Sequence, residues 1–347
     1  VEAGILGQLP ELVQQHLPQR EIALIADAAV YQLYQKGSLG PPLWRGATFR
    51  VSPGEPSKTR ESWARLSDEL LDKGFGRDSG LISLGGGMVG DLTGFVAATY
   101  MRGIPYVLVP TTLLAMVDAS VGGKTGVNSP HGKNLIGAFH PPAAVIADPQ
   151  TLATLPEREY RGGLAEAVKH GLIADQSYFE WIESAAEDIL RRDPAVLGYL
   201  VRRSVEIKAE VVSEDERESG RRAILNAGHT VAHALEAASQ YQLPHGEAVA
   251  LGLLAECALA ERMGVAEPGL AARVQSLFER LGLPVRLPES VDYSTAMRRM
   301  SVDKKNRKAQ IHCALVSGLG RMHGLGGWTT PIAAQEMETA VKTLIAR

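Results

Sequence analysis

Residues 80–91, GLISLGGGMVGD, run from a short apolar strand pattern through three glycines into a helical pattern. Missing Cβ atoms at Gly85, Gly86 and Gly87 would let backbone amides and a helix N-terminus approach a pyrophosphate. The spacing satisfies GxGxxG, which alone also describes a structural turn. The acid expected about 20 residues later is absent, because that stretch reads Val107-Leu108-Val109-Pro110. Asp27, at the end of an earlier apolar run, can serve as the ribose-binding acid instead. Working outward, the apolar runs 22–26, 80–84, 106–109 and 144–147 alternate with helical patterns, which predicts a mostly parallel α/β sheet. Near residue 155 the character changes. Strand signals nearly vanish and long 3.6-period segments follow, broken at Asp193-Pro194, Gly220, Leu243-Pro244, Gly264 and Leu283-Pro284. Two domains are therefore expected, 1–155 and 156–347. Thr154 with Glu157 three residues on predicts a capping box at the first helix of the second.

Composition removes several function classes. At 347 residues the chain has room for two hydrophobic cores, and 45% apolar with 22% charged residues excludes a disordered chain. A net charge of -3, with Lys and Arg scattered among acids, argues against nucleic acid or an anionic membrane as partner. Cys257 and Cys313 stand alone in helix-like and strand-like contexts, so neither a disulfide framework nor a thiolate metal site is expected, and a reducing cytoplasm fits. The apolar run 248–260 is interrupted by Glu256 and too short to span a bilayer.

Three further clusters carry chemistry. Residues 121–126, VGGKTG, imitate the end of a Walker A loop, but the required glycine five residues before Gly123 is Asp118. Asp118, Lys124, Lys133 and Asn134 instead crowd what reads as a glycine-rich loop. In the second half Glu166, Lys169 and His170 share one helical face. Arg222, Asn226, His229, His233 and Glu236 then recur at steps of four, three, four and three, a polar stripe on an otherwise apolar helix. His245 stands at the next helix start, where the dipole is expected to keep its ring neutral. One carboxylate with two imidazoles suits a catalytic zinc or iron site, and spacing leaves either His233 or His245 as the second imidazole. The run Asp303-Lys304-Lys305-Asn306 reads by itself as a solvated charge cluster.

Taken together, GGGMVGDLTGFVAATYMRG (85–103), VPTTLLAMVDASVGGKTGVN (109–128), GKNLIGAFHPP (132–142), TLPEREYRGGLAEAVKHGLI (154–173), IKAEVVSEDERESGRRAILNAGHTVAHALE (207–236), HGEAVALG (245–252) and DKKNR (303–307) resemble the 3-dehydroquinate synthase family of sugar phosphate cyclases in order and spacing. Met88, Ala119 and His131 depart from the commoner pattern. The resemblance implies an N-terminal Rossmann-like α/β domain that binds NAD, an all-α C-terminal metal-binding domain, and a cytoplasmic homodimer. It makes Glu166, His229 and His245 the ligands of a divalent metal, zinc with cobalt as alternative. Asp27, Glu55, Lys58, Gly85, Gly86, Gly87, Asp91, Thr111, Thr112, Lys124 and Lys133 would hold NAD. Asp118, Lys124, Asn134, Lys169, Lys208, Arg222, Asn226, His233 and Lys305, or Lys304, would line the substrate site, with Arg102 reaching the neighbouring subunit's phosphate. The implied reaction turns 3-deoxy-D-arabino-heptulosonate 7-phosphate into 3-dehydroquinate by transient oxidation, phosphate loss, re-reduction and aldol closure. The rivals are a sibling cyclase whose substrate lacks the carboxylate, a metal-dependent alcohol or glycerol dehydrogenase, and a non-catalytic NAD-binding regulator. Arg222 with Lys124 and Asn134 argues against the first, the lysines against the second, and the full set of metal and cation residues against the third.

Overall fold

The computed structural model describes residues 1–35, 46–216, 218, 220–302, 311–324 and 327–345, with the backbone alone at 301 and 302. The chain divides into two compact units, Val1–Leu155 and Pro156–Arg347.

In the first unit, helix α1 (Leu9–His16) precedes strand β1 (Glu21–Asp27) and helix α2 (Ala28–Gln35). Then come β2 (Thr48–Val51), α3 (Arg60–Asp72), β3 (Ser79–Gly85), α4 (Gly87–Thr99), β4 (Tyr106–Pro110), β5 (Lys124–Ser129), β6 (Gly132–Phe139) and β7 (Ala144–Val145). The sheet is parallel throughout, in the order β2-β1-β3-β4-β7. Alternate residues feed two cores: Ala23, Ile25, Leu81 and Leu108 meet α3 and α4, while Leu24, Ala26, Ile82, Leu84, Val107 and Val109 meet α1 and Tyr34 of α2. Burial on both faces explains why β3 is apolar without a polar alternation. Helix α4 is buried from Val89 to Ala97 except at Asp91, so it too is apolar almost all round. Residues 121–134, expected as a loop, instead feed an antiparallel hairpin of β5 and β6, in which Gly126 faces Gly137. A Cβ on either glycine would overlap the opposite strand's backbone.

The second unit is built from α5 (Glu157–Ala174), α6 (Gln176–Ser184), α7 (Ala186–Leu190), α8 (Pro194–Glu214), α9 (His229–Ala238), α10 (His245–Arg262), α11 (Leu270–Arg280), α12 (Tyr293–Val302) and α13 (Ala334–Lys342). Two short antiparallel pairs accompany the helices: β8 (Ile311–Cys313) with β11 (Thr330–Ile332), and β9 (Val316–Gly318) with β10 (Arg321–Met322). The expected capping box does not form. Thr154 Oγ1 donates to the Thr151 carbonyl, and Pro156 occupies the cap of α5. Pro156 follows Thr154 by two residues, and the turn before it holds the hydroxyl away from the helix amides. Cys257 on α10 and Cys313 on β8 are buried free thiols, and burial raises both above the usual thiol range. Among the described residues, no helix is long and apolar enough to cross a membrane.

Candidate metal and cofactor sites

Glu166 sits in the middle of α5 with its side chain fully buried. A buried carboxylate is costly unless it is matched by positive charge. Lys169, one turn on, forms an ion pair with it and donates to the Leu225 carbonyl at 2.9 Å. His229 Nε2 and His245 Nε2 each stand 3.5 Å from Glu166 Oε1. The three ligand atoms lie within 4.8 Å of one another. Bonds of about 2.1 Å at a tetrahedral angle would separate two donor atoms by about 3.4 Å, so the spacing fits one small cation. Neither oxygen of Glu166 has a hydrogen bond of good geometry. Oε2 is matched by the Lys169 ammonium, and Oε1, which the two imidazoles face, is the oxygen placed to meet a cation. His233 stands edge-on to His229 with ring centroids 5.4 Å apart and stacks with His245 at 6.5 Å, yet it does not join the three ligand atoms. Of the two histidines that spacing left open, His245 is the one whose ring nitrogen groups with Glu166 and His229.

Two sequence expectations are corrected here. Arg222 and Asn226 do not share a helix with the histidines: a 3-10 turn spans Arg221–Asn226, and the chain breaks at Gly228 (φ 79°) before α9 begins on His229. Nor is His245 kept neutral by its place at the start of α10. Burial pushes its pKa down, but Glu166 and Glu236 outweigh burial and raise it to about 10. Metal and proton therefore compete for this ring. His229 behaves oppositely: burial and Lys169 lower it to about 3, against the pull of Glu166. For Glu166 burial opposes the charge, and Lys169, His245 and His229 together hold it well below the usual carboxylate range.

Outer partners aim the two rings. His229 Nδ1 faces the Ala227 carbonyl at 3.2 Å, and His245 Nδ1 faces Glu236 Oε2 at 3.4 Å, leaving both Nε2 atoms toward Glu166. The start of α9 carries a third device, which sequence reasoning missed. Gly228 is the N-cap and has no side chain to cap with, because a Cβ there would stand 2.8 Å from Leu253 Cγ. Glu256, buried on α10, substitutes by accepting the Gly228 N–H at 2.8 Å. Burial raises its pKa to about 8, against the backbone amides that lower it. The folded state thus keeps a proton that an unfolded chain releases near pH 4.3, so this residue costs stability as pH rises from about 5 to 8. Glu256→Gln is expected to flatten that window by on the order of a few kcal/mol. Urea midpoints of wild type and variant at pH 5 and pH 8 check it, and an unchanged pH slope refutes it.

In the first unit, Asp27 and Gly85 end the adjacent strands β1 and β3, and a Cβ on Gly85 would stand 3.1 Å from that of Asp27. Asp27 Oδ1 caps α2 through Ala29 and Val30 amides at 2.8 and 3.2 Å. A pocket at the start of α4 is lined by Gly86, Gly87, Asp91, Ser120, Gly123 and Lys124, among others, so bare backbone meets one acid and one cation. Bare backbone at the start of a helix is the kind of surface that a pyrophosphate can approach. Thr111 bonds back to the Gly85 carbonyl at 2.9 Å, and Thr112 Oγ1 accepts from Ala115. Lys58 is buried and its ammonium donates at 2.5 Å to both Asp91 and Asn134. Glu55 accepts from Asn128, a residue sequence reasoning left without a role. Asp118 lies in a π turn, Ala115–Ala119, and Lys133 on β6.

Among the remaining residues, Lys208 is buried on α8, which packs against α5. Arg222 is buried and donates to the Glu216 carbonyl at 2.5 Å, and Asn226 donates to Glu218 at 2.7 Å. Arg102 is exposed on a left-handed turn (φ 69°) after α4. Lys304 and Lys305 lie outside the described residues.

The chain matches the family model described as 3-dehydroquinate synthase N-terminal over residues 48–162, and the one described as 3-dehydroquinate synthase C-terminal over 163–306. A 3-dehydroquinate synthase from Symbiobacterium thermophilum is 48% identical over 317 residues, covering 90% of this chain and 88% of the relative. A 2-epi-5-epi-valiolone synthase from Streptomyces hygroscopicus, solved with NAD+ and Zn2+, superposes with a TM-score of 0.87 at 29% identity, covering 99% of this chain and 95% of that one. A 2-deoxy-scyllo-inosose synthase solved with carbaglucose-6-phosphate, NAD+ and Co2+ gives 0.87 at 27% identity, covering 97% and 95%.

Proposed function

The chain belongs to the 3-dehydroquinate synthase family, and from that premise we propose how its residues divide the work. The enzyme converts 3-deoxy-D-arabino-heptulosonate 7-phosphate into 3-dehydroquinate and phosphate, and it depends on NAD and a divalent metal. Bound NAD supplies a hydride acceptor that is restored within each turnover, and the metal supplies a Lewis acid.

The protein's own groups bind, orient and hold charge. Glu166, His229 and His245 are the metal ligands, and a set of two imidazoles and one carboxylate favours zinc, with cobalt as the alternative. The observation that carries this assignment is the convergence of their donor atoms around a buried carboxylate whose oxygens have no good hydrogen bond. Lys169 keeps Glu166 ionised and anchored to the Leu225 carbonyl. Asp27, Glu55, Lys58, the Gly85 to Gly87 turn, Asp91, Thr111, Thr112, Lys124 and Lys133 hold NAD, their support being the glycine cradle and the ion-paired network around it. The substrate carries a carboxylate and a phosphate, so cations must gather on it. Arg222 suits the carboxylate because a planar guanidinium can grip both oxygens. Asp118, Lys124, Asn134, Lys208, Asn226, His233 and Lys305 take the remaining roles in holding the substrate. Holding that chain folded is the main aid to ring closure. We place the enzyme in the cytoplasm, where its two buried thiols stay reduced, and as a homodimer whose Arg102 serves the partner subunit's phosphate site.

Purified enzyme with substrate, metal and substoichiometric NAD is expected to release phosphate in many turnovers with no net NADH absorbance. Chelation of the metal should stop it. Stoichiometric NADH accumulation would overturn this reading in favour of a dehydrogenase.

A further inference from the structure

The β5–β6 ladder shifts register between Val127 and Ser129, where Asn128 of β5 stands against residues 133–135 of β6 outside the regular pairing. Such a bulge re-aims a side chain. Here it turns Asn128 into the junction of three segments. Its backbone N–H donates to the Lys58 carbonyl at 2.8 Å, and Thr59 pairs with it in an isolated parallel bridge. Its side-chain Nδ2 donates to Glu55 Oε1 at 2.7 Å. Its Oδ1 accepts the Asn134 N–H at 3.0 Å. The amide can take only this orientation, because the flipped one would set oxygen against the Glu55 carboxylate and nitrogen against an N–H. Asn134 is held at a left-handed φ of 57°, and its own Oδ1 accepts from Lys58 Nζ, which also pairs with Asp91. The five residues form one closed network in the first unit.

We propose that Asn128 is a positioning residue for dinucleotide binding: its side-chain amide sets the spacing of Glu55 on one side and Asn134 on the other, and through Asn134 that of the Lys58 ammonium. This rests on the cofactor roles proposed above for Glu55 and Lys58. Without the amide, the Glu55 carboxylate loses its donor and the strained Asn134 loses the acceptor on its backbone. Each group then relaxes toward water, and the geometry that meets the cofactor must be restored at every binding event. Two hydrogen bonds worth about 1 kcal/mol each correspond to a loss of about 10- to 100-fold in affinity.

The test measures NAD binding by titration calorimetry in the absence of substrate, together with the melting temperature of cofactor-free protein. Asn128→Ala and Asn128→Asp are both expected to raise the NAD Kd by about 10- to 100-fold. The aspartate variant keeps the acceptor for Asn134 but turns an anion on Glu55. KM for NAD should rise in step, with kcat falling less than about threefold and the melting temperature moving by only a few degrees. A purely structural role would lower the melting temperature and leave the Kd of the folded protein unchanged. Lys58→Ala is measured alongside. If it weakens NAD while both Asn128 variants bind within twofold of wild type, the positioning role is wrong and the cofactor assignment stands. If Lys58→Ala has no effect either, the assignment and the inference fall together. Should the alanine variant not fold, Asn128→Ser, which keeps a short acceptor, carries the same comparison with an intermediate Kd expected.

Discussion

His229→Ala is expected to lose bound metal on dialysis and at least about 1,000-fold in activity, whereas His233→Ala, one turn along the same helix, keeps its metal and turns over slowly. The two side chains have the same type and spacing that a two-histidine metal motif would show. What separates them is the partner set. His229 and His245 both point Nε2 at Glu166 Oε1 from 3.5 Å, and His233 stands outside that trio of ligand atoms. Removing one of three protein ligands weakens both affinity and chemistry; removing a neighbouring ring leaves the trio intact. Elemental analysis of His229→Ala, His233→Ala and His245→Ala after identical dialysis decides the matter. Metal loss from His233→Ala with retention in His245→Ala would refute the ligand assignment.

Gly246→Ala should be nearly as damaging although it removes nothing. A Cβ on Gly246 would overlap the backbone carbonyl of Gly162, and backbone cannot swing aside as a side chain tip does. Gly162 lies one turn before Glu166 on α5, and Gly246 follows His245 on α10. Prising these helices apart separates two proposed ligands, Glu166 and His245, which would need to stay within a few tenths of an ångström of their spacing to share one ion. A loss of about 3 kcal/mol or more in unfolding free energy is expected, with metal affinity down at least tenfold. Urea denaturation and a zinc titration on the same preparation measure both. A variant with wild-type stability and wild-type zinc affinity would show that the contact sets neither.

The central strands were legible because β1, β3 and β4 are buried on both faces and so are written as unbroken apolar runs. Strand β2 was not, since Thr48-Phe49-Arg50-Val51 is short and lies at the sheet edge. The β5–β6 hairpin reads as loop because its closest cross-strand pair is two glycines, which lower strand propensity for the same reason that they permit the approach. Periodicity placed Arg222 through Glu236 on one helix because it carries no information about a positive φ, and Gly228 breaks the run there. It also could not choose between His233 and His245, which arrive on different helices. The charge on His245 was misjudged for a related reason. The helix start beneath it was visible in the sequence, but the two carboxylates that face it come from α5 and α9 and outweigh its burial. Asn128 lay in plain view within GKTGVN, but only a register shift in the folded hairpin reveals what it reaches.

The three proposed ligands come from α5, α9 and α10, and two of them are the first residues of their helices. No two can meet until separate helices have docked, so the unfolded chain offers the ion only scattered single donors. An ion bound by this trio therefore favours the folded chain over the unfolded one, and the unfolding free energy should rise with free metal concentration. The cation acts as a latch across three helices.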